Sequence, residues 1–438
     1  MDGHLPTTLR SLHIRNYRLF ASGQLVSQVG NWMQVTAQDW LVLKLSDNSG
    51  SALGWVTALQ FLPVVLLTLY GGKLADRYDK RRLLLITNTA AGLCAVLTAA
   101  LILTGRIELW HVYVLAACRG AVGAIDNPSR QSFVNEMVGP RLLPNAIALN
   151  SASFNVARVL GPAVSGVLIA LIDTGPVFLV NGLAYVGTVA GLLAMDPARL
   201  NRSVRAARET GRIVDGVRYA AARPDLLLPM ALMFVVGGMG VNFQLTLALM
   251  AKTVFHRGAA SFGLLATALG VGALIGALAS SRRTERPSAY TLIGSAVAFG
   301  AFEFAAGLAP SYLTAAGILL FTGFFMIYVG QAAGLRVQLG VDERYRGRVL
   351  ALYLLLFQAS APVCAPLLGW LAEHVGARAG MWVGGLASIC AALVVLTIRS
   401  RQKHVTLRIR VRPTLHLLVS EPLREDLRIP AGRAHAAR

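Results

Sequence analysis

Long apolar runs recur along the chain, and they constrain its fold more than any other feature. The hydrocarbon core of a bilayer is roughly 30 Å thick, and a helix needs about 20 apolar residues to cross it. Some runs are almost free of charge, and others carry polar residues in an apolar background. The sequence therefore predicts twelve transmembrane helices, at residues 20–43, 52–72, 82–103, 110–127, 145–172, 176–195, 226–250, 261–280, 289–309, 312–334, 349–372 and 381–398.

The composition excludes most soluble classes of protein. Only 14% of the 438 residues are charged and 55% are hydrophobic, whereas a soluble domain has about 25% charged residues. The net charge of +20 would suggest nucleic acid binding in a soluble protein, but here the basic residues lie between the apolar runs. We expect no nucleic acid partner. The cysteines lie within the runs without metal-ligand spacing, so we also expect no disulfide and no metal.

The basic residues also predict the orientation. If the N-terminus is cytoplasmic, 34 of the 41 Lys and Arg residues lie on the cytoplasmic side and five on the other. Basic residues accumulate in cytoplasmic loops. The sequence thus predicts a multi-pass protein of the bacterial inner membrane with both termini in the cytoplasm. We see no cleavable signal peptide in its polar N-terminus.

A stretch with seven arginines divides the predicted spans into two sets of six. We predict an N-terminal six-helix half at 1–195, a basic cytoplasmic linker at 196–225 and a C-terminal half at 226–398. Residues 399–438 form a basic cytoplasmic tail, which we expect to be disordered or on the membrane surface. A weak internal repeat agrees, because it sets Asp76-Arg77 against Glu285-Arg286 in the corresponding loops.

The loop after span two contains a sequence motif that resembles the signature of a known family. Its sequence, Gly72-Lys-Leu-Ala-Asp76-Arg77 and then a basic cluster, resembles the signature of the major facilitator superfamily. The resemblance implies an all-α membrane fold of twelve helices in two pseudo-symmetric halves. It also implies a cytoplasmic gate in which Asp76 meets the start of span eleven. We expect Gly72 to let two helices approach closely. The alternative is that the loop charges only set topology. The predicted gate residues are Gly72, Asp76, Arg77, Arg81, Asp126, Arg130, Gly347 and Arg348.

Two further stretches resemble one subgroup of that superfamily, which includes the enterobactin exporter and multidrug or secretion effector proteins. Span four carries Arg119 and ends near Asp126, and span five contains Gly161-Pro162-x-x-x-Gly166. The likeness covers about residues 10–400. The Gly-Pro element resembles a motif associated with exporters, and we expect its residues to pack helices together.

Charges within the predicted spans indicate a transport pathway, because an ion at mid-bilayer is costly and usually functional. Arg119 and Arg158 lie near the middle of spans four and five. They predict a cavity with a positive field, suited to an anionic or hydroxyl-rich substrate or to a carboxylate that exchanges protons. The resemblance links Arg119 to proton coupling. The alternative is that each arginine bonds to helix carbonyls and only stiffens the packing.

Span one carries an amide stripe that predicts a cavity wall, since its members share one helical face. Asp39 lies one residue off this stripe, and Glu303 in span nine is the other isolated acid. Either acid can hold the exchanged proton, or Glu303 pairs with a nearby base or headgroup. The stripe comprises Gln24, Gln28, Asn31, Gln34 and Gln38, and weaker candidates for the wall are Asn242, Gln244, Tyr328 and Gln331. Gly237, Gly238 and Gly240 either bend span seven or allow close packing.

The leading functional hypothesis is proton-driven efflux of a small amphipathic molecule, such as a siderophore or a drug, by alternating access. The chain has no phosphate-binding Gly-x-x-x-x-Gly-Lys-Ser/Thr and no pattern of enzyme catalysis. We therefore expect no enzyme activity and no cofactor, with the proton gradient as energy source and a monomer in the bilayer. The alternatives are a facilitator or importer, and a non-transporting receptor.

Overall fold

Helices fill most of the described chain. The computed structural model describes residues 7–201, 213–281, 283, 285–403, 408–410 and 416–418. A 3₁₀ helix at Thr7–His13 precedes the first long helix, and another lies at Pro197–Arg199. The first set of helices is α1 (Arg15–Leu45), α2 (Gly50–Arg77), α3 (Lys80–Leu103), α4 (Leu109–Ile172), α5 (Thr174–Leu193) and α6 (Ile213–Ala221). The second set is α7 (Pro224–Val235), α8 (Phe243–Leu249), α9 (Ala259–Ser281), α10 (Ala289–Gly307), α11 (Tyr312–Gly340), α12 (Arg346–His374) and α13 (Ala379–Lys403).

Helix α4 is 64 residues long and contains two membrane spans. The helical backbone breaks at Gly139, which has φ 69°, immediately before Pro140. The sequence predicted that span four ends at residue 127 and that span five begins at residue 145. In the structure the helix continues from span four through the polar residues between them to Gly139. The positive φ of Gly139, followed directly by a proline, ends the regular helix there.

The described residues contain ten helical segments that are long and apolar enough to cross a membrane. One of them is α4, which counts twice. The 31-residue α1 is long enough to cross as well, but its amide stripe lowers its mean hydropathy. The protein therefore has twelve spans, as predicted.

Span seven is not one regular helix. Between Pro224 and Val254, α7 is followed by a π-helical turn at Val236–Gly240, then by α8, and then by a second π-helical turn at Met250–Val254. The first turn contains the three glycines that the sequence analysis singled out. We call the segment from Val236 to Asn242 the span-seven break.

The twelve spans form two halves of six. In the first half α1 packs on α4 and α5, and in the second α9 packs on α11 and α10 on α13. The halves meet where α2 packs along α12 and where the second span of α4 packs along α9. These two contacts correspond to each other across the two halves. Leucines such as Leu171 and Leu313 are 74% and 79% exposed, as side chains in contact with lipid would be.

The predicted linker and tail are only partly described. Helix α6 lies within the predicted linker, of which residues 202–212 are outside the described residues. Helix α13 continues to Lys403, beyond the predicted start of the tail at residue 399. Strands Arg408–Arg410 and His416–Leu418 pair antiparallel. The predicted disorder of the remaining tail concerns residues outside those described.

Candidate functional site: a cavity between the two halves

A central cavity of about 1000 Å³, counted with its open mouth, lies between the halves. Helices α1, α2, α4, α9 and α11 and span seven all contribute to its wall. The polar and charged residues in this wall are Gln38, Asp39, Thr57, Gln60, Arg158, Asn242 and Gln244, and the larger apolar ones include Trp32, Phe61, Phe243 and Met326. The cavity therefore combines aromatic surface with separate acidic, basic and amide groups. A site of this kind fits an amphipathic ligand.

Asp39 is buried in this wall, and no described residue pairs with its carboxyl group. It is 5% exposed, and its Oδ2 atom makes no hydrogen bond in the described residues. The neighbouring Gln38 does have one, since its amide donates to Oε1 of Gln60 at 3.2 Å. A carboxylate in such a place is costly unless it is paired or protonated.

Arg158 lies in the same wall, and its contacts do not neutralise its charge. Its Nη2 atom is 3.6 Å from the thioether sulfur of Met326. The guanidinium carbon lies 5.8 Å from the centroid of the Trp32 ring, within the range of a cation–π contact. Among the ion pairs of the described residues none includes Arg158 or Asp39. The cavity thus presents a cation and an acid to its contents.

Arg119 lies elsewhere. It lines a second cavity of about 860 Å³, counted in the same way, whose wall comes from the first half and from Gln358 of α12. Its Nη2 donates to Oδ1 of Asn31 at 3.3 Å, and the Tyr185 hydroxyl donates to the same oxygen at 2.8 Å. The sequence predicted one central cavity for both arginines. They instead line two cavities that share Gln60 and Phe61, because residues at similar depth on different helices can face different neighbours.

The amide stripe of α1 serves both as wall and as packing. Gln24 and Asn31 line the second cavity, and Gln38 lines the central one. Gln28 donates to Asn150 at 3.4 Å, while Gln34 accepts a hydrogen bond from Asn181. The shared face was visible in the sequence, but the partners that occupy parts of it were not.

Asp126 is held by three groups near the predicted cytoplasmic end. Arg130 pairs with it at 2.9 Å, and Thr87 and Asn88 donate to it at 2.8 and 3.0 Å. Sequence reasoning missed Thr87 and Asn88. Asp79 caps α3 by accepting a hydrogen bond from the backbone N–H of Arg82. The positions of Thr87 and Asn88 further along α3 give no sequence signal, because their contact is with Asp126 on another helix, α4.

The contact predicted for the cytoplasmic gate is not formed among the described residues. Asp76 is exposed, and no hydrogen bond or ion pair joins it to another described residue. Arg77 is exposed as well, and Gly347 has no neighbour within 4 Å of where a Cβ would lie. Arg81 instead donates to the carbonyls of Leu192 and Leu193 at the end of α5. The Asp76 contact with the start of α12 therefore stays a prediction for another conformation.

The close helix approach expected at Gly72 is wrong by one residue. A Cβ at Gly72 would meet nothing within 4 Å, whereas one at Gly71 would lie 2.2 Å from the carbonyl oxygen of Ala124. Adjacent residues on a helix point about 100° apart. Only the packed structure shows which of the two faces α4.

The opposite end of the protein is closed. A Cβ at Gly54 of α2 would lie 2.6 Å from the Ala365 carbonyl oxygen of α12. Glu373, on α12, accepts from the Ser49 hydroxyl at 2.9 Å and from the Ser51 backbone N–H at 3.0 Å. With the predicted orientation, the protein is in an inward-facing conformation.

The Gly161-Pro162-x-x-x-Gly166 element contributes to this closure. A Cβ at Gly161 would lie 2.3 Å from Cβ of Trp32, and one at Gly166 would lie 2.8 Å from the carbonyl oxygen of Ala259. A Cβ at Gly263 of α9 would lie 2.4 Å from the carbonyl oxygen of Pro162. The element therefore joins α4 to α1 on one side and to α9 of the other half on the other.

The remaining candidates are divided. Asn242 and Gln244 line the central cavity. Tyr328 and Gln331 lie instead in a third cavity of about 770 Å³ beside Arg283 and Ser280. Glu303 is among the residues of none of these cavities. It lies behind span seven, 2% exposed, so the structure gives it a different setting from the one expected.

Fold and cavity together define a major facilitator superfamily transporter. Its fold is similar to that of a bacterial homologue of the human lysosomal transporter Spinster, solved in an inward-facing and occupied conformation (TM-score 0.65, 15% identity, 89% of this chain and 96% of that one). It is similar in the same way to a D-xylose–proton symporter (TM-score 0.69, 14% identity, 86% and 96%). The chain belongs to the family of transmembrane secretion effectors, which matches residues 7–426.

Curated relatives match most of the chain. The staphyloferrin A transporter of Staphylococcus aureus is 23% identical and aligns over 88% of this chain and 97% of its own length. The multidrug efflux pump Tap of Mycolicibacterium fortuitum is 27% identical, over 82% and 90%. The enterobactin exporter EntS of Citrobacter koseri is 26% identical, over 75% and 78%.

Proposed function

We propose that this protein exports a small amphipathic molecule across the bacterial inner membrane in exchange for protons. One observation carries the proposal: Asp39 and Arg158 line the same central cavity, and neither forms an ion pair within the described part of the chain. A buried ion without a partner costs several kcal/mol. Such groups persist where a ligand or a proton supplies the missing partner.

In this proposal the two groups have different roles. Arg158 binds an anionic or hydroxyl-rich part of the substrate, while Trp32 and Phe61 contact its apolar part. Asp39 holds the proton that is exchanged, and the transporter needs neither a cofactor nor any enzymatic step. The names of the relatives support efflux, because they include a siderophore exporter and a multidrug pump.

Alternating access describes the path of the substrate in this proposal. With both termini in the cytoplasm, the present conformation opens to the cytoplasm and can take up substrate there. Closing the gate at Asp76 and opening the contact at Gly54 then presents the cavity to the outside. Substrate and proton shift this balance by binding the two conformations with different affinity. We propose that one chain suffices for the cycle, since the cavity is built from the two halves of a single chain.

Uptake into proteoliposomes that are acidic inside tests the proposal. A catecholate anion and a cationic dye are offered separately to wild type and to Asp39→Asn. We expect accumulation of at least one compound to follow the gradient in wild type. Asp39→Asn should lose about tenfold or more of it, the size of effect that follows from removing about 1.4 kcal/mol of coupling.

Asp47→Asn is the matched control. It makes the same chemical change outside the cavity, because Asp47 lies exposed in the loop after α1. Uptake that ignores the gradient would identify a facilitator. No flux of any compound would favour a receptor. Full gradient-driven uptake by Asp39→Asn would sink the role of Asp39.

A further inference from the structure

Glu303 on α10 is buried in the second half, and no described residue pairs with its carboxyl group. It is 2% exposed, and its Oε2 atom makes no hydrogen bond in the described residues. Two glycines let it lie there. A Cβ at Gly240 would be 3.0 Å from Oε2, and a Cβ at Gly384 of α13 would be 2.7 Å from Oε1.

The span-seven break separates Glu303 from the central cavity. Gly240, the last residue of the π-helical turn, contacts Glu303, and Val241 and Asn242 directly after it line the cavity. The Asn242 amide donates to the carbonyl of Gly238 and so closes the turn. π-Helical turns often mark functional sites, and interrupted helices in transporters commonly lie beside their ion sites. One short segment thus contacts the acid on one side and the substrate cavity on the other.

The charged and titratable groups on the elements around α10 are engaged elsewhere. On span seven, Lys252 donates to the carbonyl of Leu43, and Asp225 pairs with Arg223 and Arg286. Arg378, which precedes α13, donates to the carbonyls of Gly307 and Ala309. The others are Arg336, bonded to Pro287; Tyr312, bonded to Ser261; Tyr328, bonded to Arg283; Arg399, over the Tyr290 ring; and Cys390, which is exposed.

We propose that Glu303 is a second proton-binding site and that its proton controls the shape of the span-seven break, and through it the cavity wall at Asn242 and Gln244. This inference rests on the proposed function. In the buried position seen here no cation of the described residues pairs with the carboxyl, so the neutral form that holds a proton is the stable one. When the break rearranges, water reaches Glu303 and accepts that proton. The resulting carboxylate keeps the break open until it is protonated again.

The direct test is infrared difference spectroscopy of the full chain in lipid, recorded between acidic and alkaline pH. The carbonyl stretch of a protonated carboxyl group absorbs apart from the amide bands. We expect a band that titrates in wild type, vanishes in Glu303→Gln and persists in Asp39→Asn. Glu303→Asp keeps a carboxyl and should keep a shifted band, which guards against a variant that merely misfolds.

Two glycine variants test the link to span seven. Gly240→Ala would place a methyl group 3.0 Å from the Glu303 oxygen and 2.7 Å from the Phe299 ring, so it should shift the Glu303 band. Gly294→Ala on the same α10 is the control, because a Cβ there meets nothing within 4 Å. A band that is the same in Gly240→Ala and wild type would overturn the link. A band that survives in Glu303→Gln, or that does not titrate, would overturn the site.

Transport separates this inference from the proposed function. Glu303→Gln should reduce gradient-driven uptake of whichever compound wild type accumulates by about tenfold. The affinity of the variant for that compound should stay nearly unchanged, because Glu303 does not line the cavity. Glu285→Gln, in an exposed loop, should resemble wild type. Normal gradient-driven uptake by Glu303→Gln would overturn the inference and leave the proposed function standing. A protein that shows a titrating Glu303 band but no gradient-driven uptake would overturn the proposed function and leave Glu303 as a proton-binding site.

Discussion

Arg158 faces the central cavity with its guanidinium against a thioether and an indole ring, and Asp39 faces the same cavity without a hydrogen bond to its Oδ2. Keeping two opposite charges in one wall without joining them has a physical use. If they were paired, each would cancel the attraction of the other for a ligand. In the proposed function this separation lets Arg158 bind the substrate while Asp39 exchanges a proton.

At this scale we predict a change of substrate preference in Arg158→Ala. Loss of a charge-assisted hydrogen bond, worth roughly 1.5–3 kcal/mol, should weaken binding of an anionic substrate by about 10- to 150-fold. Binding of a cationic dye should stay the same or improve. Quenching of tryptophan fluorescence measures both affinities, because Trp32 lines the cavity.

Two further variants test whether the change in affinity comes from the guanidinium of Arg158. Arg158→Lys should recover part of the anion affinity, since it keeps the charge but not the fork of donors. Arg106→Ala removes an exposed arginine from a loop and should bind both probes as wild type does. Equal anion affinity in wild type and Arg158→Ala would show that Arg158 has no part in recognition.

Among the elements, two helix pairs decide which end of the cavity is closed. Helices α2 and α12 approach at Gly54 and Ala365, and helices α4 and α9 approach at Gly166 and Gly263. Backbones can touch at these points only because small residues leave room. The contacts are reversible because they are formed by packing at one end of each helix pair, without covalent links.

We therefore predict that Gly54→Val opens the closed end. The valine side chain would clash with the Ala365 carbonyl and with Cα of Pro366, 2.9 Å from a Cβ at that position. Spin labels on Ser51→Cys and His374→Cys, with the four native cysteines replaced by serine, report the separation of α2 and α12. Their distance distribution should move to longer values.

The matched control is Gly187→Val on α5, where a Cβ meets nothing within 4 Å. It makes the same substitution on an exposed position and should leave the distance distribution unchanged. If both variants shift it equally, the effect is general destabilisation and the contact at Gly54 does not hold the end closed.

For the whole molecule, the unformed Asp76 contact and the closed opposite end correspond to one of the two states of the proposed cycle. The Asp76 carboxylate is exposed here. In the other state we expect it at the start of α12, where free backbone N–H groups attract an anion. Such contacts contribute about 0.3–1 kcal/mol, which is enough to tune a balanced equilibrium but not to lock it.

Asp76→Asn should accordingly shift the population toward the inward-facing state by about two- to fivefold, the equivalent of that energy. The same pair of spin labels measures the population, because the closed distance becomes more frequent. Asp79→Asn is the control in the same loop, since asparagine caps a helix as well as aspartate does. An unchanged population in Asp76→Asn would mean that the loop charges only set topology.

Removal of residues 404–438 is the last prediction at this scale. Every residue of the central cavity lies before that point, so the shortened protein should accumulate substrate at the rate of the full chain. Proteoliposome uptake measures it. A loss of transport with normal insertion would assign the tail a role that the cavity does not explain.

The sequence by itself determined the twelve spans, the family and the presence of charges in the membrane. These depend on local properties: hydrophobic length decides whether a helix crosses the bilayer, and a motif keeps its spacing whatever surrounds it. The predicted stripe on α1 also followed from helical periodicity alone. The Gly161-Pro162-x-x-x-Gly166 element was expected to pack helices, although not which helices.

Only the tertiary structure decided which neighbour each of these residues meets. It placed Arg119 and Arg158 in two cavities, gave the close approach to Gly71 in place of Gly72, and set Glu303 behind the span-seven break. The physical reason is that the rotation of each helix is fixed by packing against several others at once. A turn of 100° between adjacent residues changes the neighbour completely while leaving the sequence pattern the same.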